Sequence, residues 1–250
     1  MTTLGVVALA VGIPLFLVAF WQLWITPRLR RGPSGDAVVT FATLLTRWYV
    51  RLVHRVHYDG LDVLPSEPGP LIVVANHGSA LDPFLIQSGC PFFIHWMMAR
   101  DQMAPGLEDI WRATRVIPTD RLKGDPSAAR AALRLLKAGK VVGIFPEGQF
   151  SRPHDQLLPF HDGVGTLVSR TRARVLLACV DGTPETTHVA GAFFRPSRSR
   201  VRFLDVLTFP AGTEPSTITA TLRDRLLAET GWTDCPSADP LPRPPGPFLG

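Results

Sequence analysis

Apolar residues follow three different patterns along the chain. Residues 4–25 form an almost uninterrupted apolar run, in which Gln22 is the only strongly polar side chain. Residues 38–56 carry apolar side chains at helical spacing, with threonines, arginines and His54 grouped on the opposite side. From residue 56 onward, short β-branched runs alternate with segments of helical periodicity. These patterns predict two N-terminal helices followed by an α/β domain.

Within the α/β region, the short apolar runs predict strands and the intervening segments predict helices. The predicted strands are residues 56–59, 71–75, 92–99, 116–118, 141–145, 175–180 and 201–207. The predicted helices are residues 82–89, 105–114, 125–139, 163–172 and 216–229. In the third of these helices, Asp125 is the expected N-cap, Pro126 occupies the first turn and Gly139 is the expected C-cap. The predicted fold class is α/β, with a single mixed sheet flanked by helices and with N-terminal membrane-associated helices.

Three parts are predicted along the 250 residues of the chain. Residues 1–57 are expected to form membrane-anchoring helices, and residues 58–233 one α/β domain with a sizeable core. Residues 234–250 are too rich in proline to fold alone, so they are expected to be a disordered tail.

The N-terminal part predicts attachment to a membrane. A helix over residues 4–25 would be about 33 Å long, which is enough to cross a hydrocarbon core. Six arginines and a single acid, Asp36, lie between Arg28 and His57, which favours the cytoplasmic side for the rest of the chain. The predicted location is therefore the cell membrane, with the catalytic domain on the cytoplasmic side. Because Pro14 interrupts a simple span, a pair of helices within one leaflet stays an alternative, as does packing of the second helix on the domain core.

Charge and cysteine content restrict the expected partners. The net charge is +5, and the basic excess lies beside the apolar N-terminus. This placement favours an anionic membrane surface over nucleic acid, for which no motif is present. The cysteines Cys90, Cys179 and Cys235 are widely separated and have no metal-like spacing, so neither a disulfide framework nor a metal site is predicted.

Polar side chains follow three of the predicted strands. Loops at the strand ends of an open α/β sheet converge on one crevice, so we expect the three groups to face one another. In order, they are His77 with Asp82; Asp120 with Arg121 and Lys123; and Glu147 with Gly148, Ser151 and Arg152. A neutral imidazole suits proton removal from a hydroxyl near neutral pH, and a carboxylate such as Asp82 would hold the required tautomer. A guanidinium such as that of Arg121 matches phosphate oxygens.

The ordered groups resemble the signatures of the glycerophospholipid acyltransferases, whose best-known members are the 1-acylglycerol-3-phosphate acyltransferases. The first matching segment is "NHGSALDP" at residues 76–83, and the second ends in "DR" at residues 120–121. The third is "FPEG" at residues 145–148, followed by "SR" at residues 151–152, and "VDGT" at residues 180–183 is similar to the fourth block of that family.

The resemblance implies transfer of an acyl group from acyl-CoA or acyl carrier protein to the free hydroxyl of a lysophospholipid, most simply 1-acylglycerol-3-phosphate, with no further cofactor. His77 and Asp82 would be the catalytic residues. The implied substrate-binding residues are Arg121, Lys123, Glu147, Gly148, Ser151 and Arg152. The backbone N–H groups of Gly78 and Ser79 are candidates for stabilising the oxyanion.

One departure from the family pattern keeps the acceptor open. Relatives commonly continue the third motif with Thr-Arg-Ser, whereas this chain has Gln149, Phe150 and Ser151. Phe150 stands where an arginine often contributes to phosphate binding, so a lysophospholipid with a different head group is an alternative acceptor. An acyl thioesterase is a further alternative, although the chain lacks a G-x-S-x-G segment. An inactive membrane scaffold is the third.

Overall fold

The computed structural model describes residues 13–120, 125–151, 155–186 and 190–235. The chain divides into two compact units between Leu45 and Thr46. This division lies inside a helix, earlier than the boundary after residue 57 that the sequence predicts. The second half of that helix contributes to the larger unit, because Val50 is fully buried in its core and Arg47 donates a hydrogen bond to the Cys90 carbonyl.

From residue 13 onward, the first unit is mainly helical. Residues 13–20 form α1, a π-helical turn follows at Trp21–Ile25, and α2 is Thr26–Arg30. The next helix, α3, is Ala37–Leu52, and Asp36 caps it by accepting hydrogen bonds from the N–H groups of residues 38 and 39. Across the described ranges, no helix combines the length and apolarity needed to cross a membrane.

Large apolar side chains of the first unit are exposed, and we call them the N-terminal apolar surface. Its members are Ile13, Leu15, Phe16, Leu17, Val18, Phe20, Trp21, Leu23 and Trp24, with Val38, Phe41, Leu44 and Leu45 of α3. An exposed apolar surface of this size is unusual for a soluble monomer and marks a site of interaction.

The second unit is built around a seven-stranded sheet in the described part of the chain. Its strands are β1 His57–Asp59, β2 Leu71–Ala75, β3 Ile94–Ala99, β4 Ile117–Thr119, β5 Val141–Ile144, β7 Arg174–Asp181 and β8 Arg200–Leu207. The order across the sheet is β1-β8-β7-β2-β5-β3-β4. Five neighbouring strands from β7 to β4 are parallel, whereas β8 is antiparallel to β7. The predicted mixed sheet is confirmed.

A second, two-stranded sheet was not predicted. It pairs β6, Gln156–Leu157, with β9, Thr233–Asp234. Two residues are too few to show the alternation by which a strand is recognised in sequence.

Helices cover both faces of the main sheet. They are α4 Asp82–Gly89, α6 Pro126–Lys137, α7 Gly163–Thr171, α8 Gly191–Phe194 and α9 Pro215–Thr230. A further helix, α5, is Glu108–Ala113. In β2, Ile72 and Val74 pack into one apolar cluster, and Leu71 and Val73 into another. Burial on both faces explains why this strand is an uninterrupted apolar run.

Capping fixes the helix that follows the second motif. Asp125 accepts hydrogen bonds from the N–H groups of Ser127 and Ala128, which confirms it as the N-cap of α6. Gly139 has a φ of 70° and lies just beyond the C-cap residue, Ala138. It therefore takes the left-handed conformation that commonly follows a helix.

Candidate active site

The structure brings His77 and Asp82 into contact at the carboxyl end of β2. His77 lies just past the end of this strand, after Asn76, and Asp82 is the first residue of α4. His77 Nδ1 lies 2.9 Å from Asp82 Oδ2; the Asp82 side chain is fully buried, and that of His77 is 17% exposed. Because a carboxylate only accepts, this contact holds the hydrogen on Nδ1 and leaves Nε2 as the proton acceptor.

Asp82 also organises the turn between His77 and α4. Its Oδ2 accepts hydrogen bonds of 2.8 Å from the backbone N–H groups of both Gly78 and Ser79. This corrects the expectation that these two N–H groups are free to stabilise an oxyanion, because the carboxylate that orients the imidazole already binds them. Asp82 Oδ1 is buried and has no hydrogen-bond partner among the described residues.

Aromatic rings fix the imidazole from two sides. The His77 ring stacks on Phe145 with centroids 3.9 Å apart, and Phe150 meets it at a steep angle with centroids 4.5 Å apart. Phe145 in turn stacks on Trp96 of β3. Gly143 makes room for this stack, because a Cβ there would lie 2.4 Å from the Trp96 ring. No local sequence pattern indicates the Trp96 contact, since it depends on β3 pairing with β5.

Glu147 of the third motif is buried and holds the backbone beside His77. Its Oε1 accepts from the His77 N–H at 2.7 Å, and its Oε2 accepts from the Ser151 hydroxyl at 2.5 Å and from the Leu158 N–H at 3.0 Å. Burial raises the pKa of Glu147 to about 7, and the nearby Asp82 charge adds to this effect, against the three hydrogen bonds. Both carboxylate oxygens are therefore used within the protein, and the acceptor-binding role expected for Glu147 stays a prediction.

Ser151 and Gly148 stabilise the turn that follows β5 and contains Glu147. Ser151 is buried, and its N–H donates to the His77 carbonyl at 2.7 Å. Its hydroxyl donates to Glu147, so this residue also holds the loop. Gly148 has a φ of 69°, which an L side chain rarely adopts, and this conformation lets the chain turn directly after Glu147.

The second motif follows β4 and is fixed at its start by one carboxylate. Asp125 Oδ2 accepts from the Asp120 N–H at 3.2 Å and lies 3.6 Å from an Arg100 guanidinium nitrogen. The hydrogen bonds to Asp125, led by that from Ser127, hold its pKa well below the usual range. The predicted phosphate ligands Arg121 and Lys123, and Arg152 of the third motif, lie outside the described residues.

Comparisons with known proteins show the family of the chain. The profile of the family described as Acyltransferase matches residues 55–181. The chain is 26% identical over 121 residues to the 1-acyl-sn-glycerol-3-phosphate acyltransferase of Bacillus subtilis (strain 168), covering 48% of this chain and 59% of that protein. It is 27% identical over 132 residues to the chloroplastic 1-acyl-sn-glycerol-3-phosphate acyltransferase LPAT1 of Arabidopsis thaliana, covering 52% of this chain and 37% of that protein. The chain therefore spans less than two thirds of the length of either relative.

A solved structure shares the fold. It is that of the 1-acyl-sn-glycerophosphate (LPA) acyltransferase, PlsC, from Thermotoga maritima, with a TM-score of 0.61 and 20% sequence identity. The match covers 87% of this chain and 94% of that chain. Helices on a mostly parallel sheet are thus common to the two proteins.

Proposed function

The chain belongs to the acyltransferase family, and from that premise we propose that it transfers a fatty acyl group from an acyl thioester to the free hydroxyl of a lysophospholipid. The acceptor that we propose is 1-acylglycerol-3-phosphate, which would become phosphatidate. The names of the Bacillus subtilis and Arabidopsis thaliana relatives support this acceptor. The observation that carries the proposal is the 2.9 Å contact between His77 Nδ1 and the buried carboxylate of Asp82.

The proposed reaction proceeds without an acyl-enzyme. Within the described residues, nothing hydrogen-bonds to His77 Nε2, so this nitrogen can accept the proton of the acceptor hydroxyl. The hydroxyl oxygen attacks the thioester carbonyl carbon, and the tetrahedral intermediate then breaks its carbon–sulfur bond. The proton held on His77 passes to the departing thiolate of coenzyme A or acyl carrier protein. Asp82 stabilises the imidazolium that exists between these two proton transfers.

Phosphate binding by the second motif is part of the proposal. Arg121, with help from Lys123, would bind the acceptor phosphate, because a guanidinium fork matches its oxygens and stays charged. The hydrogen bond from the Asp120 N–H to Asp125 supports this role, since it ties the residue before Arg121 to the N-cap of α6. Arg152 would add a second positive charge from the third motif.

Attachment to the cell membrane, with the catalytic unit on the cytoplasmic side, completes the proposal. The N-terminal apolar surface would enter the lipid, and Arg28, Arg30 and Arg31 would meet anionic head groups. Both the lysophospholipid and its product are membrane lipids, so attachment would keep the active site close to its substrate.

A lysophospholipid with a different head group is the second candidate acceptor. The observation that favours it is the position of Phe150, whose ring packs directly on the His77 imidazole. An apolar ring therefore lies beside the proposed reaction centre, at the position where the family resemblance implies an arginine.

The function is tested by measuring thiol release from acyl-CoA and from acyl carrier protein by the full chain in lipid vesicles. The assay is run with lysophosphatidate, with lysophospholipids of other head groups, and with no acceptor. Release that depends on an acceptor is the expected result. Release without an acceptor would identify a thioesterase, and no release under any condition would identify an inactive scaffold; either result would contradict the proposal.

A further inference from the structure

The hydrogen-bond ladder of β2 ends one residue before Asn76. The last backbone pair between β2 and β7 joins Ala75 to Ala178, although β7 continues to Asp181. The residues of β7 beyond this pair have no β2 backbone beside them. Buried backbone N–H and carbonyl groups need hydrogen-bond partners, so those of β7 that face β2 beyond this pair need a partner from elsewhere.

The side chain of Asn76 supplies that partner. Its Nδ2 donates to the Val180 carbonyl at 2.9 Å, and its Oδ1 accepts from the Val180 N–H at 2.8 Å. Asn76 is fully buried, and Val180 is nearly so. A side-chain amide carries the same donor and acceptor as a peptide group, so Asn76 takes the place of the next backbone pair in the ladder.

Because the side chain of Asn76 pairs with β7, the backbone can leave the sheet at His77. The N–H and carbonyl groups of His77 instead bind the loop after β5, through Glu147 and the Ser151 N–H. His77 is thus held on one side by the third motif. On the other side, the hydrogen bonds of its neighbour Asn76 hold it to the end of β7.

We propose that Asn76 is a positioning residue for acyl transfer, which fixes the His77 backbone relative to β7 and so holds the imidazole where the acceptor hydroxyl must lie. This inference rests on the proposed function of His77. Asn76 itself need not touch a substrate, because its amide is used on Val180. Loss of the two hydrogen bonds would move the imidazole without removing it, so the effect would fall on the chemical step.

The chain offers a matched control in Gln87. Its Nε2 donates to the Phe92 carbonyl at 2.9 Å, and its Oε1 accepts from the Ile94 N–H at 2.9 Å. Like Asn76, Gln87 thus uses its amide for one donated and one accepted hydrogen bond to the backbone. These bonds lie at the amino end of β3, however, whereas His77 lies at the carboxyl ends of the parallel strands. Loss of an amide-to-backbone pair away from His77 should therefore leave the chemical step unchanged.

The experiment compares the full-length wild type, Asn76→Leu and Gln87→Leu in vesicles with acyl-CoA and lysophosphatidate. We expect Asn76→Leu to lower kcat by about tenfold to a hundredfold, the loss typical of a misplaced catalytic group, while both KM values stay within about twofold. We expect Gln87→Leu to lower the melting temperature without changing kcat by more than about twofold. If Asn76→Leu shows no cooperative melting transition, Asn76→Ser, which retains one short hydrogen-bonding group, takes its place.

Three results of this comparison would overturn the positioning role of Asn76. A wild-type kcat in the Asn76 variant, or equal losses of kcat in the Asn76 and Gln87 variants, would overturn the positioning role. Failure of both Asn76 variants to fold, beside a folded Gln87→Leu, would also overturn it in favour of a structural role. A wild type that shows no acceptor-dependent thiol release would instead refute the proposed function itself.

Discussion

Glu147 accepts a hydrogen bond from the backbone N–H of His77 at 2.7 Å, so the acid of the third motif holds the histidine of the first. The sequence does not indicate this contact. The contact also links two strand ends, because His77 follows β2 and Glu147 follows β5. The two motifs therefore form one connected unit around the imidazole.

This contact predicts an unusual dependence of stability on pH. Burial raises the pKa of Glu147 from 4.5 to about 7. Between these values the folded protein binds a proton that the unfolded chain has lost, so the stabilisation is full below about pH 4.5 and is lost as the pH rises through about 7. The free energy of unfolding should fall by an amount on the order of 3 kcal/mol from this group.

Denaturant unfolding of the wild type and of Glu147→Gln at about pH 5 and about pH 8 checks the prediction. The variant should lack the decline that Glu147 causes in the wild type, because its amide does not titrate in this range. Parallel pH profiles for the two proteins would show that Glu147 does not titrate in this range.

A second prediction concerns the partner of the imidazole. Asp82→Asn keeps the size of the side chain but removes the charge that stabilises the imidazolium. We expect kcat to fall by about a hundredfold or more, though less completely than on removal of His77. Asp109→Asn is the matched control, since Asp109 is 93% exposed and pairs with a surface arginine. Similar rates for Asp82→Asn and the control in the vesicle assay would exclude a role for Asp82.

A third prediction concerns the acceptor phosphate. If Arg121 binds it, Arg121→Ala should raise the KM for lysophosphatidate by about tenfold or more, because a charge-assisted hydrogen bond contributes about 1.5–3 kcal/mol. The KM for acyl-CoA should change little. Arg112→Ala, at an arginine whose side chain is 77% exposed, should change neither constant. An unchanged acceptor KM in Arg121→Ala would remove this residue from the phosphate site.

The fourth prediction concerns the N-terminal apolar surface. Replacing Leu23 and Trp24 together by serine should weaken binding to anionic vesicles by more than about tenfold, since each large apolar side chain contributes about 1.5–3 kcal/mol when it leaves water. Leu61→Ser is the control, because Leu61 is 49% exposed but belongs to the larger unit. Sedimentation with vesicles measures the effect, and equal losses in the variant and the control would contradict attachment through this surface.

The main elements of the fold could be predicted from the sequence because burial leaves a regular pattern. The run at residues 71–75 is apolar throughout because helices cover both faces of β2, and its observed bounds are those predicted. The segment 82–89 likewise forms α4 with its predicted bounds. By contrast, the pairing of β6 with β9 joins residues distant in sequence and has no local pattern.

The candidate site was only partly predictable. The spacing of His77 and Asp82 along the chain was sufficient to expect their contact, because both lie in one short turn. Which way Glu147 points depends on the packing of the loop after β5, and residue order does not encode that direction. The stack of Trp96 on Phe145 depends on strand pairing, so it too became visible only in three dimensions.

The most direct test of acyl transfer with His77 as the base is to follow a labelled acyl group from its thioester into lipid. The full-length wild type and His77→Ala are incubated in vesicles with labelled acyl-CoA or acyl carrier protein and lysophosphatidate, and the lipids are separated by chromatography. We predict that labelled phosphatidate accumulates with the wild type and is nearly absent with a folded His77→Ala. Equal labelling of phosphatidate by the two proteins, or label appearing only in free fatty acid with the wild type, would contradict acyl transfer by His77.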